Sequence, residues 1–258
     1  MTPAQTQFQR LMDIVDELRQ KCPWDMKQTR ESIRHLTIEE TYELSDTILK
    51  ADDEGMQEEI GDLVMHMIFY ASMARDRGAF DMVQVLETQC EKLIRRHPHI
   101  YGDLVGATEA EINANWEVIK AQERAMKGET QRSALAGVPD SMPSLIQAHR
   151  MQEKASNLGF DWEKPEDVWA KVEEEIAEFQ AAESPEEAES EMGDLFFALV
   201  NYCRHRGINA EDALAKANQK FKRRFQSVEQ QAWADETELK ELTLEQMDAY
   251  WDKAKAAE

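Results

Sequence analysis

Glycine and proline are scarce in this chain, ten and seven in 258 residues. That scarcity leaves little material for the turns of an all-β fold, and helix-period apolar spacing runs nearly throughout. Three cysteines, Cys22, Cys90 and Cys203, lie far apart without a CxxC pair, so neither a disulfide framework nor a zinc site is expected. No apolar run approaches the ~20 residues of a membrane span, and the amino terminus MTPAQTQFQRL lacks the basic-then-apolar layout of a secretory signal. A reduced cytoplasm is the expected setting. Positive charge is also short: 30 Lys and Arg stand against 52 Asp and Glu, a net charge of -22. Binding to a nucleic-acid polymer or an anionic membrane surface, which needs clustered cations, is therefore not expected. There is no glycine-rich phosphate loop of the GxxxxGK[ST] kind and no DxDxDG calcium loop. None of the six histidines has an acidic residue three positions before it, so the Glu-x-x-His pairs of di-iron bundles are absent.

What the chain has in excess is carboxylate, and it is patterned. Glu174-Glu175-Ile176-Ala177-Glu178 is followed, after a break at Ser184-Pro185, by Glu191-Met192-Gly193-Asp194 and then the apolar Leu195, Phe196, Phe197, Leu199 and Val200. On two helices this puts Glu175 with Glu178, and Glu191 with Asp194, one turn apart. Antiparallel packing of the pair would bring four carboxylates to one level. The stripe Trp169, Val172, Ile176 and Phe179 is expected to be buried, with the acidic face opposite. Gly193 costs on the order of 1 kcal/mol inside a helix, which predicts close approach of a partner helix there.

The same order occurs earlier: Glu39-Glu40-Thr41-Tyr42-Glu43, then Glu59-Ile60-Gly61-Asp62, then Leu63 to Tyr70. Basic and aromatic residues repeat as well. Lys92-Leu93-Ile94-Arg95-Arg96 matches Lys220-Phe221-Lys222-Arg223-Arg224, and Trp116 with Lys120 matches Trp251 with Lys255. An internally duplicated helical domain follows: a first domain over 1–127, a linker over 128–144 where Gly128, Gly137, Pro139 and Pro143 interrupt the pattern, and a second domain over 145–258.

Like charges crowded on paired helices are destabilising unless cations neutralise them. One acidic segment could be a solvated face; two at matched positions favour a metal site. Hard carboxylate oxygens suit Mg²⁺, with Mn²⁺ as a substitute. A carboxylate–Mg²⁺ cluster with downstream Lys and Arg predicts a polyphosphate ligand, the cations neutralising charge and an indole available to stack on a base. Release of orthophosphate from the γ position and a non-hydrolytic, nucleotide-binding regulatory scaffold both remain open on the residues alone.

The paired EExxE and ExxD segments resemble those of the all-α nucleoside triphosphate pyrophosphohydrolases. The tandem arrangement, with Cys22-Pro23-Trp24-Asp25 in the first half and Gly159-Phe160-Asp161-Trp162 in the second, is similar to the MazG family over essentially the whole chain. The resemblance implies a homodimer of helical bundles that converts NTP and water to NMP and pyrophosphate with Mg²⁺ and broad base tolerance. It places metal ligands on Glu175, Glu178, Glu191 and Asp194, with Glu174 as a further ligand or an aid to water activation. Nucleotide contacts carry over to Lys171, Lys220, Arg223, Arg224, Trp251 and Lys255. A second, less active set is Glu40, Glu43, Glu59 and Asp62. Attack by a metal-positioned hydroxide in line at the α-phosphorus is the expected chemistry.

Overall fold

The computed structural model describes residues 1–102, 108–126 and 133–258. These residues are helical with no β-strand among them, and the chain divides into two compact units, Met1–Thr130 and Gln131–Glu258. No helix among them is long and apolar enough to cross a membrane. Of the expected linker, residues 128–132 fall outside the described residues. From 133 to 143 the chain turns, and Lys154 Nζ donates to the carbonyls of Ala134 and Ala136 at 3.4 and 3.3 Å.

The first unit contains α1 (Pro3–Lys21), α2 (Arg34–Lys50), α3 (Asp53–Asp76), α4 (Met82–Arg96), the single turn α5 (Pro98–Tyr101) and α6 (Glu109–Met126). Its helix starts are written locally. Thr2 and Gln5 form a capping box on α1, and Asp81 and Gln84 form one on α4, each satisfying amide donors that a helix start leaves free. Asp52 caps α3, so the acidic run Asp53, Glu54 and Gly55 already belongs to that helix. The core gathers Val15 of α1, Ile33 ahead of α2, Ile68, Phe69, Ala71 and Met73 of α3, and Met82 of α4. Arg75 grips Asp16 through two bonds of 2.8 Å and ties α3 to α1.

Glu123 of α6 accepts from Arg95 at 2.6 Å and from Arg96 at 2.6 Å. The Arg96 bond, outweighing burial and joined by Arg95, holds the Glu123 carboxyl down to about 2 from an ordinary 4.5. A depressed carboxyl stabilises the fold above its unfolded value, and that contribution is lost as pH falls from 4.5 through about 2. Glu123→Gln is therefore expected to lower the melting temperature at neutral pH and to flatten its fall over that acid range. Melting curves of both proteins against pH check this.

The second unit contains α7 (Ser144–Ser156), α8 (Pro165–Ala181), α9 (Pro185–His205), α10 (Ala210–Ala234) and α11 (Leu244–Ala256). Pro165 and Pro185 occupy first-turn positions, where a missing N–H costs nothing, and Glu166, Asp167, Glu186 and Glu187 sit at the positive ends of the helix dipoles. Arg204 and His205 sit at the opposite end of α9. Gly207 follows with φ +66, as Gly78 does after α3, and both supply the left-handed residue that closes a helix. The core joins Val168 and Val172 of α8, Ala198 and Val200 of α9, and Val228 and Ala232 of α10.

Two expectations change here. The buried face of α8 carries Val168, Val172 and Glu175, whereas Trp169 and Ile176 are 41% and 36% exposed. The helix is rotated so that a carboxylate, paired with Lys171, points inward. Gly193 and Gly61 meet no partner helix, because a Cβ built on either finds nothing within 4 Å. Gly193→Ala is accordingly expected to raise unfolding stability by about 0.5–1 kcal/mol, as read from urea denaturation.

Candidate active site

Three residues, 182 to 184, join α8 to α9, so the two helices form a hairpin and their acidic segments meet. Carboxylate oxygens of Glu175, Glu178 and Glu191 all come within 4.8 Å of one another. Asp194, one turn on from Glu191, lines the same cavity of about 490 Å³. The donor set is all hard oxygen, which fits a divalent cation such as Mg²⁺. Glu175 is 5% exposed. Its carboxylate takes Lys171 Nζ at 2.7 Å, and Glu174, more exposed, shares that ammonium at 2.9 Å. These two bonds raise the Lys171 ammonium above its ordinary range, Glu175 contributing most. Burial, followed by the charges of Glu178, Asp194 and Glu175, pushes the Glu191 carboxyl up. An internal cation thus already neutralises one corner of a cluster that repels itself at the other.

The cavity has a second end. Beyond the carboxylates it is lined by Trp162, Val168, Phe197, Ala198 and Asn201. In the sequence, Trp162 stands out only as part of the Gly159-Phe160-Asp161-Trp162 motif, and Asn201 does not stand out from the apolar run around it. The available signal for Asn201 was its position on α9, seven residues after Asp194 and so on nearly the same face. Asp161 holds the loop that presents Trp162. Its Oδ1 accepts from Arg204 at 2.6 Å, from His205 at 2.8 Å and from the Trp162 backbone N–H at 2.9 Å. Burial works to raise the Asp161 carboxyl, but the Arg204 and His205 bonds outweigh it and leave it below the usual range.

The basic residues of α10 and α11 lie elsewhere. Lys220, Arg223, Arg224, Trp251 and Lys255 are not among the residues lining this cavity. Arg224 bonds Glu258 at 2.5 Å and lies 5.6 Å over the Trp251 ring, which also packs on Phe221. Arg223 approaches the same Glu258 at 3.7 Å. In the first unit Lys120 sits over Trp116 at 4.6 Å.

The first unit repeats the carboxylates but not their surroundings. Glu40, Glu43 and Glu59 bring oxygens within 4.8 Å of one another. Burial and then the charges of Asp62 and Glu43 raise the Glu40 carboxyl; burial and Glu43 do the same for Glu59. In the register that pairs Glu175 with Glu40, Lys171 corresponds to Leu36, which packs on the core. In the register that pairs Asp194 with Asp62, Ala198 and Asn201 correspond to His66 and Phe69. Both are core residues, 6% and 4% exposed. The trough beside this cluster is lined by Glu39, Tyr42, Glu43, Asp46, Thr47, Lys50 and Glu59.

Comparison with known proteins agrees with the duplication. Residues 28–101 match the MazG nucleotide pyrophosphohydrolase domain, and residues 146–221 match the phosphoribosyl-ATP pyrophosphohydrolase domain. The chain is 44% identical over 260 residues to the nucleoside triphosphate pyrophosphohydrolase/pyrophosphatase MazG of Thermotoga maritima, covering 100% of this chain and 99% of that protein. It is 43% identical over 260 residues to the nucleoside triphosphate pyrophosphohydrolase of Escherichia coli K12, covering 98% of each. The uncharacterized protein YabN of Bacillus subtilis is 41% identical over 258 residues, which are 98% of this chain and 52% of that longer protein.

Proposed function

This chain belongs to the MazG family of nucleotide pyrophosphohydrolases, and on that premise we propose that it hydrolyses nucleoside triphosphates to nucleoside monophosphates and pyrophosphate in the α8–α9 cavity. The observation that carries the assignment to this cavity is its two-ended lining. Carboxylates and Lys171 stand at one end, and Trp162, Phe197 and Asn201 at the other. A nucleoside triphosphate, anionic at one end and aromatic at the other, fits this lining when a divalent cation neutralises the carboxylates.

Glu175, Glu178, Glu191 and Asp194 would hold a divalent cation, Mg²⁺ in the first instance with Mn²⁺ as a substitute. Such an ion supplies charge neutralisation of the phosphates and a more acidic water. The chain's own part is positional. Lys171 exchanges its carboxylate partners for a phosphate oxygen, and Glu174, which is not among the residues lining the cavity but shares the Lys171 ammonium at its edge, is the proposed acceptor of the proton that the attacking water gives up. Attack on the α-phosphorus forms one P–O bond as the bridge to the β-phosphate breaks, and pyrophosphate departs.

The carboxylates of the first unit have Leu36 at the register position of Lys171, a nearby Lys50 that pairs with Asp46, and Phe69 and His66 where the cavity would open. That supports a cation-holding, non-hydrolytic role for Glu40, Glu43, Glu59 and Asp62. Homodimerisation is part of the same reading. Phe196, Leu214, Phe221 and Trp233 of the second unit are 56%, 50%, 59% and 67% exposed, apolar area that a second copy would cover. A second copy also supplies a route for Lys220, Arg223, Arg224, Trp251 and Lys255 to reach a triphosphate. The cytoplasm, where nucleoside triphosphates and Mg²⁺ are plentiful, is the proposed location.

Product analysis tests the assignment. With Mg²⁺ and a panel of NTPs, the purified protein is expected to yield NMP and pyrophosphate in equal amounts. Orthophosphate with NDP would move the attack to the γ-phosphorus and sink the proposed chemistry.

A further inference from the structure

Asn201 is 5% exposed and lines the far end of the cavity. Its Oδ1 accepts from Arg204 Nε at 3.1 Å and from Nη2 at 2.7 Å. A guanidinium can only donate, so these bonds fix which way the amide faces. The oxygen is turned to Arg204, and Nδ2 is the polar atom that Asn201 offers to the cavity. Arg204 is itself held by Asp161, whose Oδ1 also anchors the Trp162 backbone. One guanidinium therefore sets both a hydrogen-bond donor on the cavity floor and the aromatic side chain beside it.

The spacing along α9 says what part of a nucleotide meets that donor. Asn201 lies seven residues beyond Asp194, about 10 Å at 1.5 Å per residue. With the phosphates at the carboxylates, the ribose spans the interval and the base arrives at Asn201. We propose that Asn201 reads the base: its Nδ2 donates to a carbonyl oxygen on the base edge, favouring keto bases over those presenting an amino group at the same position. An amino group there would face a second donor and leave both unpaired. Trp162 and Phe197 supply the apolar walls that every base shares, so the preference is graded and sits on top of broad acceptance. This rests on the reading of the α8–α9 cavity as the hydrolytic site.

Two near-isosteric pairs isolate the effect, because UTP and CTP, like ITP and ATP, differ chiefly in a keto or an amino group on one edge. In the wild type, kcat/KM is expected to be higher for UTP and ITP than for their amino partners by on the order of tenfold, carried mainly by KM. Asn201→Asp keeps an acceptor pair for Arg204, and so the loop anchor, but replaces the donor in the cavity by an acceptor. It is expected to shift both ratios toward CTP and ATP by at least that factor, whatever the added charge does to the absolute rates. Asn201→Ala is expected to bring both ratios near one. Unchanged ratios in either folded variant, judged by an unaltered melting temperature, would overturn the inference, as would a wild type that prefers CTP and ATP. Should the Asp variant not fold, the wild-type ratios and the Ala variant decide. A wild type that hydrolyses no NTP would instead overturn the proposed function itself, so the two failures are distinct.

Discussion

Glu175→Ala is expected to lower kcat/KM for NTP hydrolysis by about 10³-fold, while Glu40→Ala leaves it within a few-fold. Glu175 is the buried member of its cluster and the main partner of Lys171. Its loss removes a carboxylate from the cation and an orienting partner from the lysine together. Charge stabilisation by a metal at a phosphoryl oxygen amounts to several kcal/mol, and each ~1.36 kcal/mol is tenfold in rate, so three powers of ten is the expected scale. Glu175→Gln should lose as much, since it keeps the volume and removes the charge. Glu40 sits in a cluster where Leu36 stands in the place of Lys171 and the core residue Phe69 in that of Asn201, and Lys50 of the adjoining trough is already paired with Asp46. Pyrophosphate release by the three variants, each checked for intact helicity, separates the units. If Glu40→Ala abolishes release and Glu175→Ala does not, hydrolysis belongs to the first unit.

Adding millimolar Mg²⁺ or Mn²⁺ to chelator-treated protein is expected to raise the melting temperature of the second unit by roughly 10 °C at neutral pH. A ligand at a hundred times its Kd contributes about 2.7 kcal/mol, and a domain of this size shifts by a few degrees per kcal/mol. The pH dependence follows from Glu191, whose carboxyl is raised from 4.5 by burial and then by Glu178, Asp194 and Glu175. A raised carboxyl favours the fold below its unfolded value, and that contribution disappears as pH rises through the elevated value. Without a cation, the cluster is therefore least comfortable at neutral pH, where a cation relieves it most. Near pH 5 protons compete for the same oxygens and the shift should shrink. Glu191→Gln should melt higher than wild type without a cation and respond to it less. Scanning calorimetry with and without chelator measures all of this, and no shift with either ion would remove the metal from the reading.

The helical class and the acidic hairpin were legible because both depend on local spacing. Few helix breakers, Ser184-Pro185 at a helix start, and Glu residues one turn apart leave few other outcomes. The orientation of α8 was not legible, because periodicity assigns Trp169 and Ile176 to the core and Glu175 to water. What reverses this is a neighbour four residues away, Lys171, that lets a carboxylate be buried. Asn201 was hidden for a related reason. In the run LFFALVNY a buried amide is indistinguishable from a core residue until its oxygen is seen to be bound to Arg204. Nor does a count of Lys and Arg on α10 say which surface they face. Lys220 and Arg223 have the residue types of a phosphate site but lie away from the cavity within one chain. The difference between the two acidic sets was present at Leu36, His66 and Phe69, yet it gained meaning only once α9 showed what stands in those places.

The lysine bound to Glu175 has one more consequence. A divalent ion that uses the Glu175 oxygen facing Lys171 competes with the ammonium for it, and an arriving triphosphate offers that ammonium a new partner. Each ligand thereby raises the affinity for the other, by equal factors, since the coupling is reciprocal. Ion and nucleotide are then best taken up as a pair. The ion affinity of the empty protein accordingly understates the affinity that operates during turnover.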